Sequence, residues 1–241
     1  MRALRVTLVQ HTLAWENPGD NRDQFTSLLE AASPSTDLIL LPEMFTTGFS
    51  MNALANAEAP GGETEAWMQD LARRYDCAVA GSIAVKVGDD VFNRLLFATP
   101  DGVTPYDKRH LFRMAGEHKR YAPGRERVIV EWRGWRIEPE VCYDLRFPVF
   151  SRNRKDYDLL FFVANWPSPR AAHWRLLLQA RAVENLACVV GVNRVGSDAR
   201  GLDYVGDSLA IDARGALLAD LAGREAIETV TFSGEELVKY R

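Results

Sequence analysis

Cysteine and histidine are scarce in this 241-residue sequence, and neither residue type forms a cluster. The cysteines are Cys77, Cys142 and Cys188, with no CxxC pair and long intervals between them. An odd number of widely spaced cysteines argues against a disulfide framework and against a zinc site. We therefore expect the thiols to be reduced. No group of His, Asp or Glu has metal-ligand spacing either, so we expect no metal and no other cofactor. Reduced thiols in turn predict a cytoplasmic protein.

Long hydrophobic runs and an excess of positive charge are also missing. No stretch of about 18 apolar residues occurs, so the sequence predicts no membrane-spanning segment. The amino terminus has a basic start but enters an alternating strand pattern, which differs from a signal peptide. The net charge of −4 and the pI near 5.7 give no global attraction to nucleic acid or anionic lipid, so we expect neither as a partner.

The sequence does contain short apolar strand patterns that alternate with helices, without repeats or linker-like tracts. The run DLLFFVANWP is typical of a strand covered on both faces, and Gly88-Asp89-Asp90 between two strand patterns indicates a hairpin. Residues 171–187 have the apolar side of a long helix. This mixture of hairpins and crossovers predicts an α/β fold of two packed mixed β-sheets with helices on their outer faces, in one domain over residues 1–241.

Three polar residues of different chemistry directly follow strand patterns. Glu43 comes after LILLP, Lys108 after TPYD and Cys142 after RIEPEV. Ligands gather at the carboxyl ends of strands in open α/β sheets, because loops converge there on a rigid frame. Each residue also has an ordinary structural explanation, as a solvated loop carboxylate, a surface lysine, or a packing cysteine like Cys77 and Cys188.

A thiol, an ammonium and a carboxylate together form a complete set for nucleophilic acyl transfer. The thiol attacks a weak electrophile such as an amide only with a base or a lowered pKa. The lysine supplies positive charge to the thiolate and to the oxyanion of the tetrahedral intermediate. The glutamate takes the thiol proton, delivers it to leaving ammonia and then activates water. Spacing alone leaves the choice between these roles and the structural explanations open.

Several segments along the chain carry a family resemblance. Three of them are LLPEMFTTGFS, YDKRHLF and PEVCYDLRFP, and the supporting segments are VTLVQHTLAWENPGDNRDQF, EHKRYAPG, ANWP and QARAVENLACVVGVNRVG. In order and approximate spacing they resemble the motifs of the nitrilase superfamily of carbon–nitrogen hydrolases, over essentially the whole chain. The resemblance implies a Glu-Lys-Cys catalytic triad and a four-layer αββα sandwich with its two β-sheets face to face.

The resemblance also implies a role for each residue that matches a motif. Glu43 is then the general base and Cys142 the nucleophile. Lys108 stabilises the oxyanion with help from the backbone N–H of Tyr143. A second family glutamate aligns with Glu117, which is expected to hold the lysine and help position the substrate, although its residue type alone favours an ordinary loop acid.

Two motifs, EMFTTGFSM and CYDLRFP, narrow the branch of the superfamily. They look most like those of omega-amidases, in particular the bacterial 2-oxoglutaramate amidases. The implied reaction is hydrolysis of the terminal amide of 2-oxoglutaramate or 2-oxosuccinamate. The alternatives are another amidase, a nitrilase, an N-carbamoyl amidohydrolase, or a family member without catalysis that acts as a binding protein. The resemblance further implies a homodimer and a C-terminal tail shorter than usual, which leaves the last helix open.

Such a substrate offers a carboxylate and a ketone for recognition. Arg146 is the candidate for pairing with the carboxylate, or instead it braces the turn through a salt bridge to Asp144 or Glu140. The other candidates for substrate contact are Phe45 and Trp166, as pocket walls or core residues, and Met114 and His118 on the loop after the lysine.

A Cys-His enzyme is the rival from another mechanistic class. His110 is two residues from Lys108 and is the candidate partner for Cys142, but the sequence shows no Asn or Asp to orient it.

Overall fold

The computed structural model describes all 241 residues, which form five α-helices, two six-stranded β-sheets and a separate two-stranded hairpin. The helices are α1 (Pro18–Ala32), α2 (Ala53–Asn56), α3 (Glu63–Tyr75), α4 (Ala171–Asn185) and α5 (Gly234–Tyr240). The strands are β1 (Leu4–Gln10), β2 (Leu38–Leu40), β3 (Ala78–Val87), β4 (Asp90–Thr99), β5 (Gly102–Asp107), β6 (Val130–Trp132), β7 (Trp135–Val141), β8 (Leu159–Ala164), β9 (Cys188–Asn193), β10 (Val195–Ser197), β11 (Asp203–Val205), β12 (Leu209–Ile211), β13 (Leu217–Asp220) and β14 (Ala226–Phe232).

Both sheets are mixed and have parallel strands near their centres. The first has the order β14-β1-β2-β3-β4-β5 and the second β13-β12-β9-β8-β7-β6, while β10 and β11 pair separately. Strands β1-β2-β3 and β7-β8-β9 run parallel, and the other neighbours are antiparallel. The predicted β3–β4 hairpin is present, with Val87 opposite Asp90. Parallel strands bring their carboxyl ends to one edge of each sheet, where the loops that follow them meet.

The two sheets pack face to face, and residues of both belong to one cluster of 41 buried residues that also includes Trp174 and Leu178 of α4. Phe97 of β4 lies against Phe161 of β8 with ring centroids 6.5 Å apart. Trp135 of β7 lies against Phe232 of β14 at 6.4 Å. Burial of this apolar surface is the dominant favourable term in holding the two layers together.

Helices cover the outer face of each sheet. On the first sheet, Phe25 of α1 and Met68 of α3 belong to a second buried cluster together with Ile39 of β2, whose neighbours Leu38 and Leu40 face the inner core. On the second sheet, α4 approaches β9 so closely that a Cβ at Gly191 would lie 2.4 Å from the side chain of Leu178. The layers are therefore helix, sheet, sheet and helix, and the predicted αββα sandwich is confirmed.

Some local elements differ from the sequence prediction. The edge strand β5 extends further towards the amino terminus than the short pattern TPYD before Lys108, and it pairs with β4 over six residue pairs. The last helix, α5, is formed, and Arg241 after it donates a 2.6 Å hydrogen bond to Asp158. No helix of the protein has both the length and the apolar character needed to cross a membrane.

Candidate active site

Glu43 lies in the loop after β2, and its carboxylate is fully buried. Its Oε1 accepts hydrogen bonds of 2.8 Å from the ammonium of Lys108 and from the side-chain amide of Asn93. Its Oε2 accepts one of 2.8 Å from the backbone N–H of Asn165. A buried carboxylate with three donors is held in one orientation, and hydrogen bonding compensates for the loss of water.

Lys108 follows β5 and is likewise fully buried. Besides Glu43, its Nζ donates to both carboxylate oxygens of Glu117 at 3.0 Å, and it lies 5.2 Å from the ring centre of Phe49. Burial alone would lower the pKa of Lys108, but the charges of Glu117 and Glu43 outweigh it and raise the pKa above its usual value. The side chain is therefore a permanent ammonium at neutral pH.

Glu117 completes this charged group from the loop after Lys108. Its Oε1 accepts a 3.1 Å hydrogen bond from Asn93, and its Oε2 accepts one of 2.5 Å from the backbone N–H of Phe112. Burial raises the pKa of Glu117, with a further contribution from the charge of Glu43, against the opposing charge of Lys108. Two buried acids share one ammonium, so the group as a whole does not favour a further negative charge.

Cys142 sits where β7 turns into the short 3-10 helix Cys142–Arg146. Its φ of 45° lies in the left-handed region, which is uncommon for a residue other than glycine and is often found at functional sites. Burial raises the pKa of Cys142 well above its usual value, the charge of Glu43 raises it further, and Lys108 opposes both. Its surroundings therefore favour the neutral thiol over the thiolate, with the carboxylate of Glu43 close by.

Asp144 ties the turn of Cys142 to the segment that carries Lys108. Its Oδ2 accepts hydrogen bonds from the hydroxyl of Tyr106 at 2.8 Å and from the backbone N–H of Val141 at 3.1 Å. Its Oδ1 accepts one of 2.8 Å from the backbone N–H of His110. One buried carboxylate thus connects the residues before the lysine, the residues after it and the end of β7.

The same aspartate also engages the side chain of His110. The Nδ1 atom of His110 is 2.8 Å from Asp144, and the ring stacks on Phe147 with centroids 3.7 Å apart. The sequence showed no acidic partner for this histidine, and the structure corrects that point. Because His110 does not line the cleft that contains Cys142, the arrangement favours Glu43 over a histidine as the base.

Cys142 opens onto a narrow cleft, while Glu43 and Lys108 lie buried behind it. The wall of the cleft is largely apolar and aromatic, with an amide and several arginines. The lining residues are Phe49, Phe112, Ala115, Cys142, Tyr143, Arg146, Asn165, Trp166, Pro167, Arg170, Arg200, Leu202 and Tyr204. Of the residues predicted to contact substrate, the structure places Trp166 and Arg146 here, together with the supporting Tyr143.

Two residues predicted to contact substrate, Phe45 and Met114, do not line the cleft. Phe45 packs in the outer core, 5.9 Å from the ring of Phe25 and 5.7 Å from that of Trp67, and does not reach the cleft. Met114 is 72% exposed outside the cleft lining, with its sulfur 3.8 Å from the guanidinium of Arg170.

The salt bridge considered for Arg146 is also absent. Its guanidinium lies over the ring of Trp166 at 5.0 Å and contacts His173 Nδ1 at 2.9 Å. Glu140 accepts instead from Ser151. Arg146 therefore lines the cleft without a carboxylate partner.

Sequence reasoning missed five residues of the site: Asn93, Asn165, Phe49, Arg170 and Arg200. Asn93 had a weak signal, because it is a polar residue inside the strand pattern VFNRLLFAT, and Asn165 belongs to the segment ANWP. Phe49 belongs to the segment LLPEMFTTGFS, whereas Arg170 and Arg200 had no signal, since nothing local distinguishes them from surface residues. No group of three or more His, Cys, Asp or Glu side chains is arranged to hold a metal ion.

This fold and this buried Glu-Lys-Cys arrangement define a carbon–nitrogen hydrolase. The sequence profile of the carbon–nitrogen hydrolase family matches residues 5–234, and the chain belongs to that family.

The chain is also similar, over nearly its full length, to individual amidases and to a solved hydrolase structure. The chain is 51% identical to the omega-amidase YafV of Yersinia enterocolitica, over 100% of this chain and 94% of the relative. It is 33% identical to the 2-oxoglutaramate amidase of Bacillus subtilis, over 98% of this chain and 93% of the relative. Among solved structures, a carbon–nitrogen hydrolase superfamily protein from Xanthomonas campestris, with an arsenic adduct in its active site, superposes with a TM-score of 0.98 at 50% identity, covering 100% of this chain and 94% of the other.

Proposed function

We propose that this protein is an omega-amidase that hydrolyses the terminal amide of a 2-oxo dicarboxylic acid monoamide, 2-oxoglutaramate or 2-oxosuccinamate, to the 2-oxo acid and ammonia. The observation that carries the proposal is the convergence of Glu43, Lys108 and Cys142 at a cleft that is lined by two arginines without a carboxylate partner, Arg146 and Arg170. Similarity to omega-amidase and 2-oxoglutaramate amidase over nearly the full chain supports the choice of substrate class.

In the first half-reaction Cys142 Sγ attacks the amide carbon while Glu43 takes the thiol proton. The negative charge that develops on the amide oxygen is stabilised by the ammonium of Lys108 and by the backbone N–H of Tyr143. Glu43 then delivers the proton to the amide nitrogen, the C–N bond breaks, and ammonia leaves a thioester on Cys142. Because Lys108 is held in place by two carboxylates, it needs no reorganisation as this charge forms.

In the second half-reaction Glu43 removes a proton from water, and the resulting hydroxide attacks the thioester carbon. The same oxyanion contacts stabilise the second tetrahedral intermediate. Its collapse breaks the C–S bond, returns the proton to the sulfur and releases the 2-oxo acid. Glu117 takes no proton in this scheme and positions Lys108 through two hydrogen bonds of 3.0 Å.

Substrate orientation follows from the cleft wall. Arg146 binds the substrate carboxylate, since a planar guanidinium pairs with a carboxylate through two parallel hydrogen bonds. Trp166 fixes that guanidinium by stacking beneath it at 5.0 Å and forms the apolar side for the substrate methylenes.

We further propose that residues 1–241 act as one cytoplasmic catalytic domain and associate as a homodimer through α4. Leu176 and Val183 on that helix are exposed by 67% and 51%, and Val149 near the Cys142 turn by 83%. Such apolar side chains are typical of a surface that is covered in an assembly. Light scattering should give a dimer for the wild type and a monomer for Leu176→Glu; the exposed Leu54→Glu is the matched control, and a monomeric wild type contradicts the proposal.

A kinetic comparison of five substrates tests the function. Ammonia or product release is measured with 2-oxoglutaramate, 2-oxosuccinamate, glutamine, a simple nitrile and an N-carbamoyl amino acid. The two 2-oxo acid amides should have the highest kcat/KM, and a preference for the nitrile or the carbamoyl compound overturns the proposal. Cys142→Ala is the control, since it should remain folded and have no turnover.

A further inference from the structure

The cleft in front of Cys142 has a one-sided charge distribution. Three arginines line it, Arg146, Arg170 and Arg200, and no aspartate or glutamate does. Arg200 has a partner of its own, because it lies 3.6 Å from the carboxylate of Asp198 and donates to the backbone oxygen of Phe49. The other two have no carboxylate within ion-pair distance, which leaves their charge to act on whatever occupies the cleft.

Arg170 is positioned by the same tryptophan that orients Arg146. The indole Nε1 of Trp166 donates a 2.8 Å hydrogen bond to the backbone oxygen of Arg170, at the end of the 3-10 turn Ser168–Arg170. The guanidinium of Arg170 lies 5.4 Å from the ring centre of Phe112, and that of Arg146 lies 5.0 Å from the ring of Trp166 itself. Both cations are therefore mounted on aromatic groups of the cleft wall, which lowers the entropy lost when a ligand binds them.

We propose that Arg170 is a specificity-determining residue that selects 2-oxo acid amides over 2-amino acid amides. This inference rests on the proposed omega-amidase function and assigns the recognition of the substrate's second carbon to a residue of this chain. When Arg146 holds the carboxylate, the group next to that carboxylate faces a cleft with a second unpaired guanidinium. A ketone oxygen accepts a hydrogen bond from it, whereas an ammonium has no lone pair to accept one and is repelled by like charge.

The proposed role of Arg170 predicts how much the preference for 2-oxoglutaramate over glutamine should change. A hydrogen bond between a charged donor and a substrate oxygen is worth a factor of about 10 to 100 in affinity. Removing the Arg170 charge should weaken the binding of 2-oxoglutaramate by that factor. The binding of glutamine should stay unchanged or become tighter. The ratio of the two kcat/KM values is therefore the quantity that Arg170 controls.

Steady-state kinetics of Arg170→Gln with 2-oxoglutaramate and glutamine test this role. We expect KM for 2-oxoglutaramate to rise about 10- to 100-fold with kcat within about threefold, and the 2-oxoglutaramate to glutamine ratio of kcat/KM to fall by at least about tenfold. Arg170→Lys, which keeps the charge without the planar fork, should recover part of the ratio. Arg113→Gln removes an exposed arginine outside the cleft and should leave kcat/KM unchanged for both substrates.

Alkylation of Cys142 by iodoacetamide separates specificity from structural damage. Its rate should be the same within about twofold in Arg170→Gln and in the wild type, because Arg170 does not touch the triad. An unchanged substrate ratio, an equal loss for both substrates, or a loss in kcat rather than KM overturns the inference. The proposed function fails separately, if the wild-type enzyme itself shows no preference for 2-oxoglutaramate.

Discussion

Replacing Glu43 by Gln should make Cys142 react faster with an alkylating agent and should abolish amide turnover. The negative charge of Glu43 raises the pKa of the buried thiol, while the ammonium of Lys108 opposes it. Glu43→Gln removes the first effect and retains the second, so the thiol pKa should fall and its reaction with an alkylating agent should become faster. Amide turnover should nevertheless be lost, because glutamine cannot accept the thiol proton or deliver it to leaving ammonia.

The magnitude follows from the burial of the group. A unit charge at about 4 Å in a medium of effective dielectric about 20 contributes about 4 kcal/mol, or about three pKa units. Glu117 retains its own contact with Lys108 and offsets part of the gain, so we expect a fall of about one to three units. Because thiolate nucleophilicity decreases as the pKa falls, alkylation at neutral pH should accelerate by about 3- to 50-fold. Turnover should drop by about 100- to 10,000-fold.

The assay measures the iodoacetamide alkylation rate against pH, with the site of labelling identified by mass spectrometry. Cys77 and Cys188 should not compete, since they are buried in the core and burial raises the pKa of each to about 12. Glu235→Gln, on the exposed side of α5, is the matched control and should change neither rate. Slower alkylation in Glu43→Gln, or an alkylation profile shifted to higher pH, refutes the assigned electrostatics, and retained turnover refutes Glu43 as the base.

Three other predictions test the supporting structure. Asp144→Asn should lower kcat by about 100-fold with KM within about threefold, because the turn of the nucleophile loses its brace; an unchanged kcat in stopped assays of ammonia release contradicts that role. Phe45→Ala should lower the free energy of unfolding by about 3–5 kcal/mol in urea titrations while the KM for 2-oxoglutaramate stays constant, and a raised KM would return Phe45 to the cleft. Burial alone would raise the pKa of Asp158, but hydrogen bonds from Arg136 and Arg241 outweigh it and hold the pKa below its usual range. Stability from this carboxylate is present above its unfolded pKa and is lost as the pH falls through the folded one, so Asp158→Asn should be destabilised at pH 7 and approach the wild type in acid; a constant difference between pH 7 and pH 2 contradicts this.

Local sequence patterns were sufficient to predict the layers of the fold, whereas the proposed triad came from the family resemblance of its motifs. Apolar runs such as DLLFFVANWP indicate strands covered on both faces, and Gly88-Asp89-Asp90 marks a hairpin, because these signals depend only on near neighbours along the chain. The motifs around Glu43, Lys108 and Cys142 were recognisable because each is contiguous in sequence.

Tertiary structure alone decided what surrounds that triad. Phe45 and Trp166 both follow strands, but one faces the helices outside the first sheet and the other faces the cleft, and no local pattern distinguishes the two directions. Asn93 reaches Glu43 across fifty positions of sequence, and Arg170 faces the cleft without an acidic partner. The physical reason is that side-chain partners and cleft charge depend on how sheets and loops pack in space, whereas strand and turn signals arise within a few consecutive residues.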